Sequence, residues 1–569
     1  MSQICCPMPM PLKQYGSLLT KYLQPQQGRV IGLAIALLSS TGLQLLNPQI
    51  LRYFIDTAFT GGSQSALVLA ALMFIGVALL TQLLAIAATY LGENVAWTAT
   101  NALRADLVEH CLELDLSFHK SRTPGELIER IDGDVNLLSR FFSQFTIQVL
   151  GSGLLLMGVL VVLFYEDWRA GLGLSVYAVV ALGTLLRLRL LAISGWTVYR
   201  QIGAEFFGFL GEYLAGREDI RANGAVSYVM HHFHQLLQRW LPAYHRARLA
   251  STVLWTTSVG LFTTGTIVAL AIGLYLWNQQ AITIGTVYLI FYYTELLSDP
   301  IERIRVQLED LQQAEAGINR IQELLQTQSQ LSDGGMTSLP DLALSVSFRQ
   351  VCFSYEMDYQ TDAEPEWALE NLSFYLPAGQ VLGVLGRTGS GKTTLSKLLL
   401  RLYAAQQGEI CLGGVAIDQT PLREIPQRVG LVTQDVQIFQ TTIRNNLTFF
   451  NPRIPDSQLQ KTLATVGLGS WLETLPAGLE TLLGTDGIGL SAGQAQLLAF
   501  ARVFLKNPGL VILDEASSRL DPQTEALIEQ AIAQLFTNCT GIIIAHRLQT
   551  VQRADQILIL EQGRVLEYG

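Results

Sequence analysis

One short segment of this chain reads Gly386-Arg387-Thr388-Gly389-Ser390-Gly391-Lys392-Thr393. It follows the pattern GxxxxGK(S/T), in which backbone N–H groups surround phosphate groups, the lysine neutralises them and the final hydroxyl reaches a magnesium ion. The apolar run Val381–Leu385 precedes the segment, and a helical pattern over Thr394–Leu402 follows it. A strand, a glycine-rich turn and a helix are the context that such a loop requires. The segment therefore predicts an α/β nucleotide-binding domain.

A second strand pattern ends in two acidic residues. The run Leu510–Leu513 is apolar, and Asp514 and Glu515 follow it. Parallel strands in α/β domains bring their carboxyl-terminal ends to one edge of the sheet, where the ligand binds. Asp514 would there position a magnesium ion, and Glu515 would polarise the water that attacks the γ-phosphate. These residues predict ATP hydrolysis with Mg²⁺ as cofactor.

The half of the chain before Pro300 is strongly apolar. Six runs approach the roughly 20 residues that cross a bilayer as a helix. They lie near Val30–Ile55, Ala66–Leu91, Phe145–Tyr165, Ala170–Ile193, Thr252–Trp277 and Ile282–Leu297. Ahead of them, Leu12–Leu23 has apolar and aromatic residues at helical spacing, which is typical of an amphipathic helix on a membrane surface. The sequence thus predicts a multi-pass integral membrane protein.

The connectors between the apolar runs differ in charge. Those near Phe59–Gln64 and Asn278–Ala281 contain no Lys or Arg, whereas the long connectors after the second and fourth runs contain several. Short loops rich in Lys and Arg stay in the cytoplasm. Both long connectors, both termini and the nucleotide-binding domain are therefore predicted to be cytoplasmic, with the spans in the inner or plasma membrane. The long connectors are also expected to be helices that continue beyond the bilayer and return.

The overall charge argues against one class of partner. The 569 residues include 37 Lys and Arg against 47 Asp and Glu, a formal net charge of −10. An acidic chain lacks the broad basic surface that binds nucleic acid, so we expect no nucleic-acid partner.

With these motifs the chain resembles the ABC transporter family, specifically its exporter-type half-transporters, in which a membrane domain precedes a nucleotide-binding domain. The family sequence LSGGQ corresponds here to Leu490-Ser491-Ala492-Gly493-Gln494. The resemblance implies that Ser491, Ala492, Gly493 and Gln494 contact ATP bound to the opposite subunit. Because alanine replaces one glycine, we expect weakened but not abolished activity.

The resemblance assigns roles to further residues. Tyr355 matches the aromatic that stacks on adenine, Gln434 the glutamine that senses magnesium and the attacking water, and His546 the histidine that contacts the γ-phosphate. Asp521 matches the loop through which the two ATP sites communicate, and Thr485 stands where many exporters have a glutamate. The expected ATP contacts within one chain are Tyr355, Gly386, Arg387, Thr388, Gly389, Ser390, Gly391, Lys392, Thr393 and Thr394. The expected catalytic residues are Lys392, Gln434, Glu515 and His546, and the expected magnesium ligands are Thr393, Gln434 and Asp514.

The resemblance also implies the fold class, an α-helical six-span membrane domain plus an α/β P-loop NTPase domain. We expect an N-terminal segment with the amphipathic helix over 1–28, a transmembrane domain over 29–325, a linker over 326–342 and an ATP-binding cassette domain over 343–569. Segments from Phe118 through Arg130 to Asp134-Val135 and over Gly216–Asn223 look like the family's coupling segments between these domains.

The implied function is ATP-driven export by a dimer of half-transporters, which moves an amphipathic lipid, drug or peptide by alternating access. A homodimer is preferred, and a heterodimer with a different half remains open. An importer on the same scaffold, or an ATP-gated channel or regulator, are the alternatives. In the last span, Glu295 either lines a cavity, where it would favour cationic or amphipathic substrates, or pairs with an arginine.

Overall fold

The structure is a computed structural model that describes residues 20–140, 143, 148–331, 333–335, 337–355, 366–484, 489–514, 522–545 and 551–569. The chain divides into two compact units. The first unit comprises Met1–Leu112 and Pro124–Thr327, and the second comprises Glu113–Thr123 and Gln328–Gly569. The short segment Glu113–Thr123 falls within the predicted transmembrane domain but belongs to the compact unit that contains the glycine-rich loop.

The first unit consists mainly of long helices. The short helix α3 lies among them in the sequence but belongs to the second unit. In chain order these helices are α1 (Gln27–Phe59), α2 (Gln64–Glu113), α3 (Leu116–Ser121), α4 (Pro124–Ile128), α5 (Val135–Arg140), α6 (Gly151–Glu166), α7 (Trp168–Ala215), α8 (Arg217–Ala222), α9 (Val226–Asn278) and α10 (Ile284–Gln326). Helices α2, α7, α9 and α10 have 50, 48, 53 and 43 residues. About 20 residues cross a bilayer, so these helices are long enough to extend well beyond it, as the polar connectors predict.

Five helices in the described residues are long and apolar enough to cross a membrane. They are contained in Thr20–Phe59, Gln64–Glu113, Gln148–Glu166, Trp168–Leu188 and Val226–Asn278. The sixth predicted span is the first part of α10, where Glu295, Asp299 and three tyrosines make the sequence less apolar. Leu289, Ile290, Tyr293 and Leu297 of this helix are fully buried in the core of the bundle. A helix that packs against its neighbours need not be as apolar as one that faces lipid on every side.

The second unit is an α/β domain with two sheets. Its strands are β1 (Val346–Phe353), β2 (Leu369–Leu376), β3 (Val381–Gly386), β4 (Gln407–Leu412), β5 (Val415–Ala416), β6 (Val429–Val432), β7 (Leu510–Asp514), β8 (Thr540–Ile544), β9 (Gln556–Glu561) and β10 (Arg564–Tyr568). Its helices are α11 (Lys392–Leu399), α12 (Ile425–Arg428), α13 (Ile443–Thr448), α14 (Asp456–Thr465), α15 (Gly469–Glu473), α16 (Ala492–Lys506) and α17 (Pro522–Leu535).

The larger sheet has the order β10-β9-β3-β8-β7-β6, and the smaller sheet has the order β2-β1-β4-β5. Strands β3, β8, β7 and β6 pair in parallel. They are mostly apolar because both faces of a parallel sheet are covered by helices, and every residue of β8 is buried. Since the strands are parallel, Gly386, Val432, Asp514 and Ile544 end them at the same edge of the sheet. The site must be sought there.

Helix α11 begins and ends earlier than the predicted Thr394–Leu402. It begins at Lys392 because Gly391, with φ of 98°, turns the chain into the helix as its N-cap residue. It ends at Leu399, and Arg401 then adopts a left-handed conformation with φ of 51°. Such a residue terminates a helix whatever apolar residues follow it. Because Leu400 and Leu402 are apolar, the predicted helix continued past its observed end at Leu399.

Candidate nucleotide site

The glycine-rich loop joins β3 to α11, and its lysine is held by the loop itself. The Lys392 side chain is buried, and its Nζ donates hydrogen bonds to the carbonyl oxygens of Gly386, at 2.8 Å, and Arg387, at 3.0 Å. A Cβ on Gly391 would lie 2.8 Å from the carbonyl oxygen of Ala368, so only glycine fits there. The first N–H groups of α11 have no acceptor within the helix. The loop therefore combines a fixed ammonium group with a helix N-terminus, which together suit an anion.

A cavity of about 610 Å³ lies at this loop. Ligand pockets in proteins usually measure about 300–1,000 Å³. The predicted ATP contacts that line it are Tyr355, Thr388, Gly389, Gly391, Lys392, Thr393 and Thr394, and Gln434 joins them. Lys120, Glu366 and Trp367 also line the cavity and were not predicted from the sequence. The structure thus brings the predicted aromatic residue, the loop and the glutamine together in one place.

Tyr355 is held in this cavity by contacts on several sides. Its hydroxyl is hydrogen-bonded to Thr394 Oγ1 at 3.1 Å. Its ring packs edge to face against Phe353 and Tyr403, with centroid distances of 4.9 Å and 5.3 Å. The Lys120 ammonium lies 4.2 Å from the ring centre. The ring is therefore fixed in position and lies in a cationic environment, which suits a flat base that carries phosphates.

Lys120 reaches the cavity because α3 packs within the second unit. Asp115 caps α3, and its carboxylate accepts hydrogen bonds from the backbone N–H groups of Phe118, at 3.0 Å, and Gln330, at 2.6 Å. Leu116 packs against the hydrophobic core that includes residues of both sheets. Burial raises the pKa of the Asp115 carboxyl, but the hydrogen bonds from Gln330, Phe118, Ser117 and Ser329 together outweigh it, so this pKa lies below its usual value. Asp115 thus ties α3 to the segment that begins the second unit.

Two further predicted residues extend from the same edge of the sheet. Asp514 is the last residue of β7, and Gln434 follows β6 closely. The Gln434 amide, the Asp514 carboxylate and the Thr393 hydroxyl are hard oxygen donors, which Mg²⁺ prefers. Ser390 Oγ of the loop is buried without a hydrogen-bond partner among the described residues. Because such an atom is costly to leave unpaired, the donor set and this hydroxyl fit a nucleotide with magnesium.

Gln496 also contributes to this region, and its role was not predicted from the sequence. It is buried on α16, and its Nε2 donates hydrogen bonds to the carbonyl oxygens of Gln434, at 3.0 Å, and Thr433, at 3.3 Å. The signal in the sequence is a glutamine on the otherwise apolar buried face of α16. Gln496 connects the helix that begins with Ala492 to the backbone that carries Gln434.

Ser491 caps this helix in a reciprocal arrangement. Its Oγ accepts a hydrogen bond from the Gln494 N–H at 3.1 Å, and Gln494 Oε1 accepts one from the Ser491 N–H at 3.0 Å. Ser491 and Ala492 are exposed, whereas Gly493 is buried. A Cβ on Gly493 would collide with the Thr524 side chain. Of the two glycines in the family sequence LSGGQ, this chain thus keeps the one, Gly493, that has no room for a methyl group. None of Ser491–Gln494 is among the described residues that line the cavity at the loop.

Four predicted residues lie outside the described residues. They are Thr485, Glu515, Asp521 and His546. Asp514, which precedes Glu515, ends β7, and Ala545, which precedes His546, follows β8. Their roles stay predictions.

Two known protein families and several bacterial proteins are similar to this chain. The family described as ABC transporter transmembrane region matches residues 30–301, and the family described as ABC transporter matches residues 369–518. An ATP-dependent lipid A-core flippase of Alcanivorax borkumensis is 30% identical over 485 residues, which cover 84% of this chain and 80% of that protein. The uncharacterized ABC transporter ATP-binding protein YfiC of Bacillus subtilis is 28% identical over 568 residues, covering 96% and 90%.

One solved structure agrees with the fold along nearly the whole chain. It is a bacterial Atm1-family ABC exporter with ATP bound, with a TM-score of 0.80 and 24% identity over 95% of each chain. At this identity the likeness shows a common fold.

Proposed function

Because the chain belongs to the ABC transporter family, as an exporter-type half-transporter that couples ATP hydrolysis to transport, we propose that two copies assemble and form two ATP sites. Each site would combine Gly386–Thr394 and Tyr355 of one copy with Ser491–Gln494 of the other. The observation that carries this proposal is the exposed start of α16, which presents Ser491 to solvent and does not line the cavity of its own chain.

Within each site the chain's own residues would act in separate roles. Thr393, Gln434 and Asp514 would hold Mg²⁺, which neutralises charge on the phosphate oxygens when it is bound. Lys392 would donate to the β- and γ-phosphates from its fixed position over the loop. Glu515 would orient the attacking water and accept its proton, and His546 would contact the γ-phosphate. Tyr355 would stack on adenine.

The chain is an integral membrane protein, and we assign its ATP-binding unit and both termini to the cytoplasm. The Lys and Arg residues of the connectors after the second and fourth apolar runs support this orientation. The membrane would then be the inner or plasma membrane. The proposed substrate is an amphipathic molecule, a class supported by the name of the lipid flippase relative.

The test is magnesium-dependent ATPase activity of the chain purified alone in lipid nanodiscs. Glu515→Gln should abolish hydrolysis while ATP still binds. Glu529→Gln is the matched control, because Glu529 is an exposed acid on α17 that pairs with Arg553 on the surface, and it should leave activity unchanged. Activity that vanishes only in Glu515→Gln supports a homodimer with complete sites.

Two outcomes contradict this proposal. ATP binding without hydrolysis by the chain alone would contradict the homodimer and favour a different second half. Hydrolysis that persists in Glu515→Gln would overturn the catalytic assignment.

A further inference from the structure

Glu295 lies on the exposed face of α10 with a single polar partner among the described residues. Thr266 Oγ1 donates a hydrogen bond of 2.6 Å to its carboxylate. The predicted alternative, a pair with an arginine, is not found among the ion pairs of the described residues. By contrast, Glu166 of the same unit pairs with Arg52 at 2.6 Å, and Asp299 lies 3.9 Å from Arg303. Glu295 is therefore an uncompensated negative charge in the part of the membrane unit that the structure describes.

The position of Glu295 along the helices places it near the middle of the bilayer. It lies about 17 Å along α10 from Ile284, at 1.5 Å per residue. Its partner Thr266 lies about 18 Å along α9 from Asn278 by the same measure. The hydrocarbon core is about 30 Å thick. The distances along both helices thus place this carboxylate near the midplane of the bilayer.

An exposed carboxylate at this depth does not face lipid. Its cost in hydrocarbon is a few kcal/mol or more, so such residues face a water-filled path or another polar surface. A carboxylate can accept about four hydrogen bonds, and Thr266 supplies one. The exposed Glu295 carboxylate therefore has accepting capacity that no other hydrogen bond among the described residues uses.

Aromatic side chains share this face of α10. Tyr288 and Tyr292 precede Glu295 by seven and three residues, which puts all three on one side of the helix. Both tyrosines are half-buried, and their ring centres are 6.2 Å apart. Tyr293, by contrast, points into the bundle, where its hydroxyl donates a hydrogen bond to the Leu45 carbonyl oxygen at 2.7 Å. The exposed side of the helix thus offers two aromatic rings and one free negative charge.

We propose that Tyr288, Tyr292 and Glu295 form a binding site for an organic cation with a lipophilic body. The aromatic rings hold the apolar body and attract positive charge through their faces, and the carboxylate supplies the counter-charge. An anion of the same shape is repelled. This inference rests on the proposed transport function, and it narrows the substrate class from amphipathic to cationic.

The test measures binding of tetraphenylphosphonium to the full chain in nanodiscs by equilibrium dialysis, with empty nanodiscs subtracted. Tetraphenylborate is the matched probe, because it has nearly the same shape and the opposite charge. Tetraphenylphosphonium should bind and tetraphenylborate should not. Glu295→Gln, which keeps an acceptor for Thr266, should weaken tetraphenylphosphonium binding by about tenfold or more, because a charge pair at low effective dielectric is lost.

Two variants complete the experiment. Asp299→Asn removes a charge one turn further along α10 that Arg303 already offsets, so binding should change by less than about twofold. Tyr292→Leu should weaken binding through loss of a ring, by about threefold or more, and it tests the site even if Glu295→Gln does not fold.

The results that overturn the inference are specific. Equal binding of both probes, or unchanged binding in both Glu295→Gln and Tyr292→Leu, contradicts a cation site. A Glu295→Gln variant that dissociates into single copies while tetraphenylphosphonium binding is unchanged assigns this face to the second copy instead. Basal ATPase activity separates the two proposals. If the unmodified chain hydrolyses ATP but binds tetraphenylphosphonium and tetraphenylborate equally, only this inference is overturned. If the unmodified chain does not hydrolyse ATP, the proposed function is overturned.

Discussion

The Lys120 ammonium lies 4.2 Å from the centre of the Tyr355 ring. Lys120 belongs to α3, which follows the long apolar helix α2 in the sequence, and Tyr355 lines the nucleotide cavity together with the glycine-rich loop. A residue from the first long connector therefore forms part of the nucleotide cavity. We therefore expect nucleotide binding to depend on the position of α3.

Replacing Lys120 should weaken ATP binding. A cation over an aromatic ring contributes about 0.5–2 kcal/mol, so we expect Lys120→Ala to raise the Kd for ATP about fivefold. Lys397 lies farther from the same ring, at 5.6 Å, and Lys397→Ala should have the smaller effect. Lys120→Arg should restore most of the affinity. Titration of ATP into the Glu515→Gln background measures this without hydrolysis, and equal effects of the two alanine variants would contradict a special role for Lys120.

The pH dependence of stability should reflect the charge of Asp115. Its pKa is lower in the folded chain than its usual value of 3.8. A carboxyl with a depressed pKa stabilises the fold above its unfolded pKa, and this contribution is lost as the pH falls through the folded pKa. The contribution is therefore complete at neutral pH and disappears below pH 3.8.

Asp115→Asn should lower the thermal unfolding temperature at neutral pH, because an amide oxygen accepts the Gln330 and Phe118 hydrogen bonds without a charge. The difference from the unmodified chain should shrink as the pH is lowered towards the acid limit. Thermal scans of the full chain over this range measure it. A difference that is the same at every pH would show that charge at Asp115 does not contribute.

Local sequence patterns predicted those parts of the fold that short-range physics determines. Strands β3 and β7 were predicted to within one residue at each end, because buried parallel strands form continuous apolar runs. The glycine-rich loop was recognisable because its glycines and lysine follow the backbone's need to surround a phosphate group. The packing of α3 with the second unit was not predicted, because Lys120 and Tyr355 are far apart in the sequence and no periodicity connects them.

The exposed position Ala492 and the buried position Gly493 should differ in how much a substitution destabilises the chain. Gly493→Ala places a methyl group against Thr524, and such overpacking costs about 1–3 kcal/mol. Ala492→Gly changes an exposed position at the first turn of α16 and should cost less than about 1 kcal/mol. Chemical unfolding measures both. If the Ala492 methyl group also hinders approach to ATP, Ala492→Gly should raise ATPase activity. Equal stability of the two variants would contradict the packing argument.

Gln496 should matter for both stability and hydrolysis. Gln496→Leu keeps the apolar packing of α16 but removes the donor that Gln434 and Thr433 share. A typical hydrogen bond contributes about 0.5–1.5 kcal/mol, so losing both of these part-buried bonds should cost about 1–3 kcal/mol. Because the affected backbone carries Gln434, we expect the maximal ATPase rate to fall more than ATP affinity does. Gln496→Glu retains the shape of the side chain but loses the donor when it is ionised, so it should behave like Gln496→Leu. Full hydrolysis in both variants would show that this connection between α16 and the loop after β6 does not serve catalysis.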